Sequence, residues 1–82
     1  MNQQEKLASL VKGIEGVRAV HALRTRRIGS GLQLDMHVLV DPELTVQEGH
    51  SIACLVEDRI LREGMDVIDI LVHVEPYILG KK

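Results

Sequence analysis

The sequence predicts one small α/β (α+β) domain in the order helix, strand, strand, helix, strand, with a three-stranded mixed sheet carrying both helices on one face. Three observations carry this. Two stretches place apolar residues at helical spacing, three others alternate apolar and polar residues, and the last three elements form a strand-helix-strand unit, whose crossover joins parallel strands. The 82 residues are enough for one modest core and too few to divide in two, so residues 1–82 are read as a single domain.

Leu7, Leu10, Val11 and Ile14 recur at i, i+3, i+4 and i+7, the stripe of an amphipathic helix over 3–14 that Gly13 and Gly16 bring to an end. Residues 17–26 read as a strand, with Val20 and Ala22 on one side and Ala19, His21 and Leu23 on the other. Arg24, Arg26 and Arg27 gather at its far end. Ile28-Gly29-Ser30-Gly31 then reverses the chain into a second strand over 32–40. This strand alternates strictly: Leu34, Met36, Val38 and Val40 form one face, and Gln33, Asp35, His37 and Leu39 the other. A hairpin centred on Gly29 sets His21 opposite His37, a pairing that a bulge or a one-residue slip would spoil.

Asp41-Pro42-Glu43-Leu44 ends the second strand, and Thr45 with Glu48 is a capping box that starts a helix over 45–63. Val46, Gly49, Ala53, Val56 and Ile60 supply its buried stripe, with Ile52 beside it, and Gly64 closes it. The third strand covers 66–75, with Ile68, Ile70, Val72 and Val74 on one face and Asp69, Leu71, His73 and Glu75 on the other. Pro76 ends it. The tail, 76–82, carries the apolar run Tyr77-Ile78-Leu79, which reads as a docked terminus or a contact with another chain.

Composition narrows the partners. Apolar residues make up 45% of the chain, but Tyr77 is its single aromatic, so the core is aliphatic and stability benefits from oligomerisation. A formal charge of −2 argues against nucleic-acid binding, and a lone Cys54 excludes an internal disulfide, as a cytosolic setting would allow. Apolar runs fall far short of the roughly 20 residues that cross a bilayer, so direct membrane insertion is not expected and the chain reads as soluble.

With both helices covering the Leu34/Met36/Val38 and Ile68/Ile70/Val72 side, the opposite sheet face is left open. On that face stand Asp35, His37, His73 and Glu75, with His21 arriving from the hairpin partner. An isolated Asp-x-His is ordinarily a solvated polar surface. Three imidazoles and two carboxylates together read instead as a site for a borderline first-row cation, a donor set that Ca²⁺ and Mg²⁺ do not favour. His50, at the border of the second helix's apolar stripe, is either a core-edge histidine or a further ligand.

From residue 16 to 76 the chain resembles the cytosolic C-terminal domain of the cation diffusion facilitator transporters. The marks are Gly16-Val17 with His21 and Leu23-Arg24-Thr25-Arg26, residues 34–41 containing His37, Gly49-His50, and His73-Val74-Glu75-Pro76. The resemblance implies a metallochaperone-like, ferredoxin-like fold that forms homodimers and binds Zn²⁺ or related cations, with ligands at positions matching His21, His37, His50 and His73. Glu75 stands where zinc exporters have an aspartate, and Asp35 is a donor they do not generally use. The Gly-Ser-Gly turn and the Val-Gln-Glu-Gly-His helix start are most similar to magnetosome members of the family. That implies the cytoplasmic side of a bacterial membrane, the iron-loading magnetosome membrane included; the expected cofactor is a divalent transition metal, Zn in vitro, with Fe or Mn as the physiological alternatives. The expected function is a metal-binding, dimerising regulatory domain that biases the transmembrane part of its parent transporter toward transport. A free-standing soluble metal carrier and a small-anion sensor built on Arg24, Arg26 and Arg27 are the alternatives, and an enzyme is not expected.

Overall fold

The computed structural model describes residues 2–63 and 66–78. The elements are α1 (Gln3–Lys12), β1 (Ala19–Ile28), β2 (Gly31–Val40), α2 (Val46–Arg62) and β3 (Val67–Pro76). The strands lie in the order β1-β2-β3, with β1 antiparallel and β3 parallel to β2. This is the mixed α-β-β-α-β sheet that the periodicities predict. Gly64 as a helix stop and Leu79 in the tail fall outside the described residues.

Both helices begin on reciprocal capping boxes. Asn2 accepts from the Glu5 amide while Glu5 accepts from the Asn2 amide, and Thr45 and Glu48 repeat the exchange at α2. The α1 helix stops at Lys12, two residues before the expected end, where the Gly13 amide closes onto Ser9 and Leu10 carbonyls. Ile14 lies beyond the helix but remains buried. At Gly16, φ is +99° and a Cβ would come within 2.7 Å of Ile52 Cδ1, so the link into β1 needs a residue without a side chain.

Leu7 and Val11 of α1, Leu34, Met36 and Val38 of β2, and Val56 and Ile60 of α2 are fully buried in one aliphatic cluster. No polar or charged side chain is buried among the described residues. Truncating any of the larger core residues to alanine would cost about 2–5 kcal/mol. Val46, expected in this stripe, is instead 91% exposed, in the first turn of α2 where the helix borders an open groove beside the end of β3.

Two irregularities set which side chains reach the open face. The β1-β2 turn is the two-residue loop Gly29-Ser30, with Ile28 opposite Gly31 and a positive φ at Gly29 alone, as a type II′ reversal requires. This register sets Arg24 opposite Asp35, one step out of phase with a hairpin centred on Gly29. A bulge between His21 and Arg24 then spends three steps of β1 on two of β2, with Ala22 at φ +54°. Without the extra residue, Ala22 would oppose His37 and His21 would turn toward the core. With it, His21 opposes His37, and Val20 and Leu23 both pack against the core. The expected grouping of Leu23 with His21 is therefore corrected, and the bulge creates the histidine pairing that it was expected to spoil.

The second irregularity lies in β3 between the Leu32–Val67 and Gln33–Asp69 pairs. Ile68 is the extra residue, so Val67 takes the core position and Ile68 is 60% exposed, contrary to the alternation. Ile70 and Val72 resume it.

The bulge makes a testable demand on Ala22. Valine, whose branched Cβ is strained at positive φ, is expected to cost roughly 1–2 kcal/mol, whereas glycine is tolerated within about 0.5 kcal/mol. Urea midpoints of the two variants check this, and equal midpoints would contradict it.

Candidate metal centre

The cross-strand register draws three histidines into one row. His21 pairs with His37 across the antiparallel ladder and His37 with His73 across the parallel one, so an imidazole rises from each strand at the same level. The His37 and His73 rings are 4.8 Å apart between centroids and tilted by 32°. His73 and His21 are exposed, and His37 is half-buried between its neighbours.

Glu75, on the same strand face as His73, turns toward His37, with Oε2 2.7 Å from His37 Nδ1. An ionised carboxylate only accepts, so Nδ1 carries the hydrogen and a neutral His37 keeps its lone pair on Nε2. This is the arrangement by which a carboxylate fixes the tautomer and aim of a ligating histidine. Glu75 thus stands as the orienting partner of His37 in this arrangement.

Asp35 is held differently. The Arg24 guanidinium spans its carboxylate, with Nε 3.1 Å from Oδ1 and Nη2 3.3 Å from Oδ2. The Arg24 hydrogen bonds hold the Asp35 carboxyl below the usual carboxylate range, partial desolvation opposes this, and the charges of Arg24, His73 and His37 add to the lowering. The Arg24 guanidinium is correspondingly pushed up by the same bond. At the hairpin end of this face Gln33 donates to Asp69 at 3.0 Å.

His50 lies apart from the row, exposed on the first half of α2, with Nε2 3.5 Å from Cys54 Sγ one turn on. It lines a groove of about 480 Å³ between the start of α2 and the end of β3, together with Pro42, Val46, Val72, Val74 and Glu75. Gly49 floors the groove at the point where α2 approaches Val74.

The donors suit a borderline cation in kind: neutral imidazole with carboxylate. Among the described residues, no three His, Cys, Asp or Glu side chains of the chain converge closely enough to hold one ion. The structure therefore sets His21, His37 and His73 at one level of the sheet with Glu75 bonded to His37, places Asp35 on the same face under an arginine, and leaves His50 outside that row. Sequence reasoning missed the Arg24–Asp35 clamp. Its signal was the two-residue reading of Gly29-Ser30, which fixes Arg24 opposite Asp35.

A mixed sheet with helices on one face and ligand chemistry on the other defines a small α+β domain of the metallochaperone-like class. Comparison with known proteins carries the assignment further: the chain belongs to the family described as cation efflux protein, cytoplasmic domain, whose model matches residues 2–77. It is 35% identical over 77 residues to metal tolerance protein C1 of Arabidopsis thaliana, covering 94% of this chain and 16% of that protein. It is 43% identical over 72 residues to the uncharacterized transporter YdbO of Bacillus subtilis, covering 88% and 24%. The chain thus spans a quarter or less of the length of these relatives. Solved MamM C-terminal domains share the fold, one at TM-score 0.88 and 27% identity covering 94% of this chain and 92% of that one, another at 0.86 and 30% covering 90% and 94%. The family is one of transporter domains and not of enzymes. Among the described residues, no helix is long and apolar enough to cross a membrane.

Arg24→Met removes the bond that lowers the Asp35 pKa, so that pKa is expected to rise toward the ordinary value of about 3.9. A depressed folded-state pKa contributes stability above the unfolded value and loses it as pH falls through the folded one, so the variant's acid limb should flatten below about pH 4. Carboxyl-carbon NMR titration of both proteins reads the shift directly; no movement of the Asp35 resonance would contradict the assignment.

Proposed function

We propose that this chain is the metal-binding, dimerising regulatory domain of a divalent-cation efflux transporter, held on the cytoplasmic side of a membrane. The observation that carries the reading is the row of three imidazoles, one per strand, with His37 aimed by Glu75. A cation would take imidazole nitrogens from His37 and His73, with His21 and Asp35 as further donors on the same face. Zn²⁺ is the metal of choice in vitro, and Fe or Mn is compatible with the same donors. Relatives include the manganese efflux system protein MneP of Bacillus subtilis and cation-efflux pump FieF, and MamM C-terminal domains have been solved in nickel and cadmium forms. The resemblance to MamM favours a magnetosome membrane among the possible settings.

In this reading a second copy completes the shell, since among the described residues one protomer does not close three donors around an ion. Exposed apolar residues on and beside β3 support this: Ile68, Leu71, Val74 and Ile78 lie open on the elements expected to meet another chain, with Val46 across the groove. Metal then biases the parent transporter only if it binds two arrangements of the protomers unequally. Of the alternatives, anion sensing loses Arg24, which is committed to Asp35.

Two outcomes are expected. His73→Ala should remove most measurable Zn²⁺ binding by calorimetry while stability stays within about 0.5 kcal/mol, since an exposed side chain leaves no cavity. His50→Ala, exposed as well, should also leave stability unchanged. Parent-like metal affinity in His73→Ala would remove the sheet-face site. The chain should also sediment as a dimer at high micromolar concentration; a monomer both with and without Zn²⁺ would sink the dimer.

A further inference from the structure

The Arg24 guanidinium occupies both oxygens of the Asp35 carboxylate, on the same face as the histidine row and at the strand level next to it. Asp35 thus already has a cation in place. We propose that Arg24 is a built-in competitor of the metal: it neutralises Asp35 in the metal-free chain, must be displaced before that carboxylate can ligate, and so sets the cation concentration at which the site responds. This rests on the sheet-face reading given above and adds to it the residue that tunes the site's affinity.

Four features support the role. The pairing is enforced by the backbone, because the Gly29-Ser30 turn fixes Arg24 as the cross-strand partner of Asp35, and the bulge that follows brings His21 level with His37 without disturbing it. The bond is forked, with Nε and Nη2 on separate oxygens, which leaves few lone-pair directions for an incoming ion. It is also easily broken: the Arg24 side chain is 77% exposed, and an exposed pair of this kind gives way to water or to a stronger cation. Finally, nothing else competes for the arginine, since among the described residues Arg24 makes no other ion pair. A divalent ion bound by imidazoles would outbid one guanidinium for the carboxylate through its double charge, leaving the arginine free on the sheet surface.

This differs from a purely structural clasp in what it predicts. A clasp that positions Asp35 for the metal would make its removal weaken binding. A competitor makes its removal strengthen binding, by about two- to fivefold, the range over which exposed ion pairs act.

The test is Zn²⁺ titration calorimetry on the 82-residue chain and on Arg24→Met, His73→Ala, Asp35→Asn and the Arg24→Met/Asp35→Asn double variant. Methionine keeps an unbranched apolar stem and removes the charge. The expected result is tighter binding in Arg24→Met, with most of that gain absent when Asp35 is already Asn, as a double-mutant cycle requires of residues acting through one another. In the parent, the Arg24 Nε–H resonance should move toward its solvent-exposed position as Zn²⁺ is added. Unchanged or weaker affinity in Arg24→Met overturns the competitor role. So does an equal gain with and without the Asp35 carboxylate, which would mean general charge repulsion, or an Nε–H resonance that stays put. Failure of the underlying site appears separately, as parent-like Zn²⁺ affinity in His73→Ala.

Discussion

One extra residue in β1 governs what the open face of this sheet can do. Strands repeat every two residues, so the antiparallel register that pairs Arg24 with Asp35 would by itself turn His21 inward. The bulge at Ala22 resets the phase, and its cost is a non-glycine residue at φ +54°. In return β1 places Val20 and Leu23 on the core side, and His21 and Arg24 on the other. A regular ladder would have to give up either an apolar contact or a histidine. Such local strain, held by the packing on both sides, is usual where a strand must aim a side chain.

The two faces of the sheet answer to different physics. On the helix side, apolar side chains from α1, β2 and α2 enclose no polar or charged side chain among the described residues, and their fit tolerates little change. On the other side the contacts are pairwise and wet: Arg24 with Asp35, Gln33 with Asp69, His37 with Glu75. These contribute little to folding, which leaves them free to rearrange without cost to the core. Stability and ligand chemistry are thus carried by opposite faces of the same three strands, and β2 serves both through its strict alternation.

That alternation is why so much was legible in the residues. Leu34, Met36 and Val38 against Asp35 and His37 declare both the core and the open face, and Thr45 with Glu48 announces the start of α2, whereas the matching Asn2–Glu5 box at α1 was not read. What escaped was local phase. Nothing in the apolar pattern of Val20, Ala22 and Leu23 marks a bulge, since alanine is small enough to pass on either side, and the same holds for Val67 and Ile68, either of which could fill a core position. The length of the Gly29-Ser30 turn was the missing constraint, because one residue there decides whether Arg24 faces Asp35 or Leu34. Val46 misled for another reason: helical spacing shows which side of α2 is apolar but not which of its turns borders an open groove.

The parallel pairing of β2 with β3 places a mechanical limit on the whole row. His37 is bound into β2 and His73 and Glu75 into β3, and β3 runs in register with β2 from Gln33–Asp69 to Val40–Pro76. Sliding one strand past the other by a single residue would bury His73 and expose Val72, so the sheet cannot creep; it holds as a plate or comes apart. The spacing of backbone positions along the row is therefore a fixed length. Under the proposed function, a cation bound along the row could shift only a side-chain torsion or the separation of whole protomers, so any large displacement would be expressed as the tilt of one plate against another.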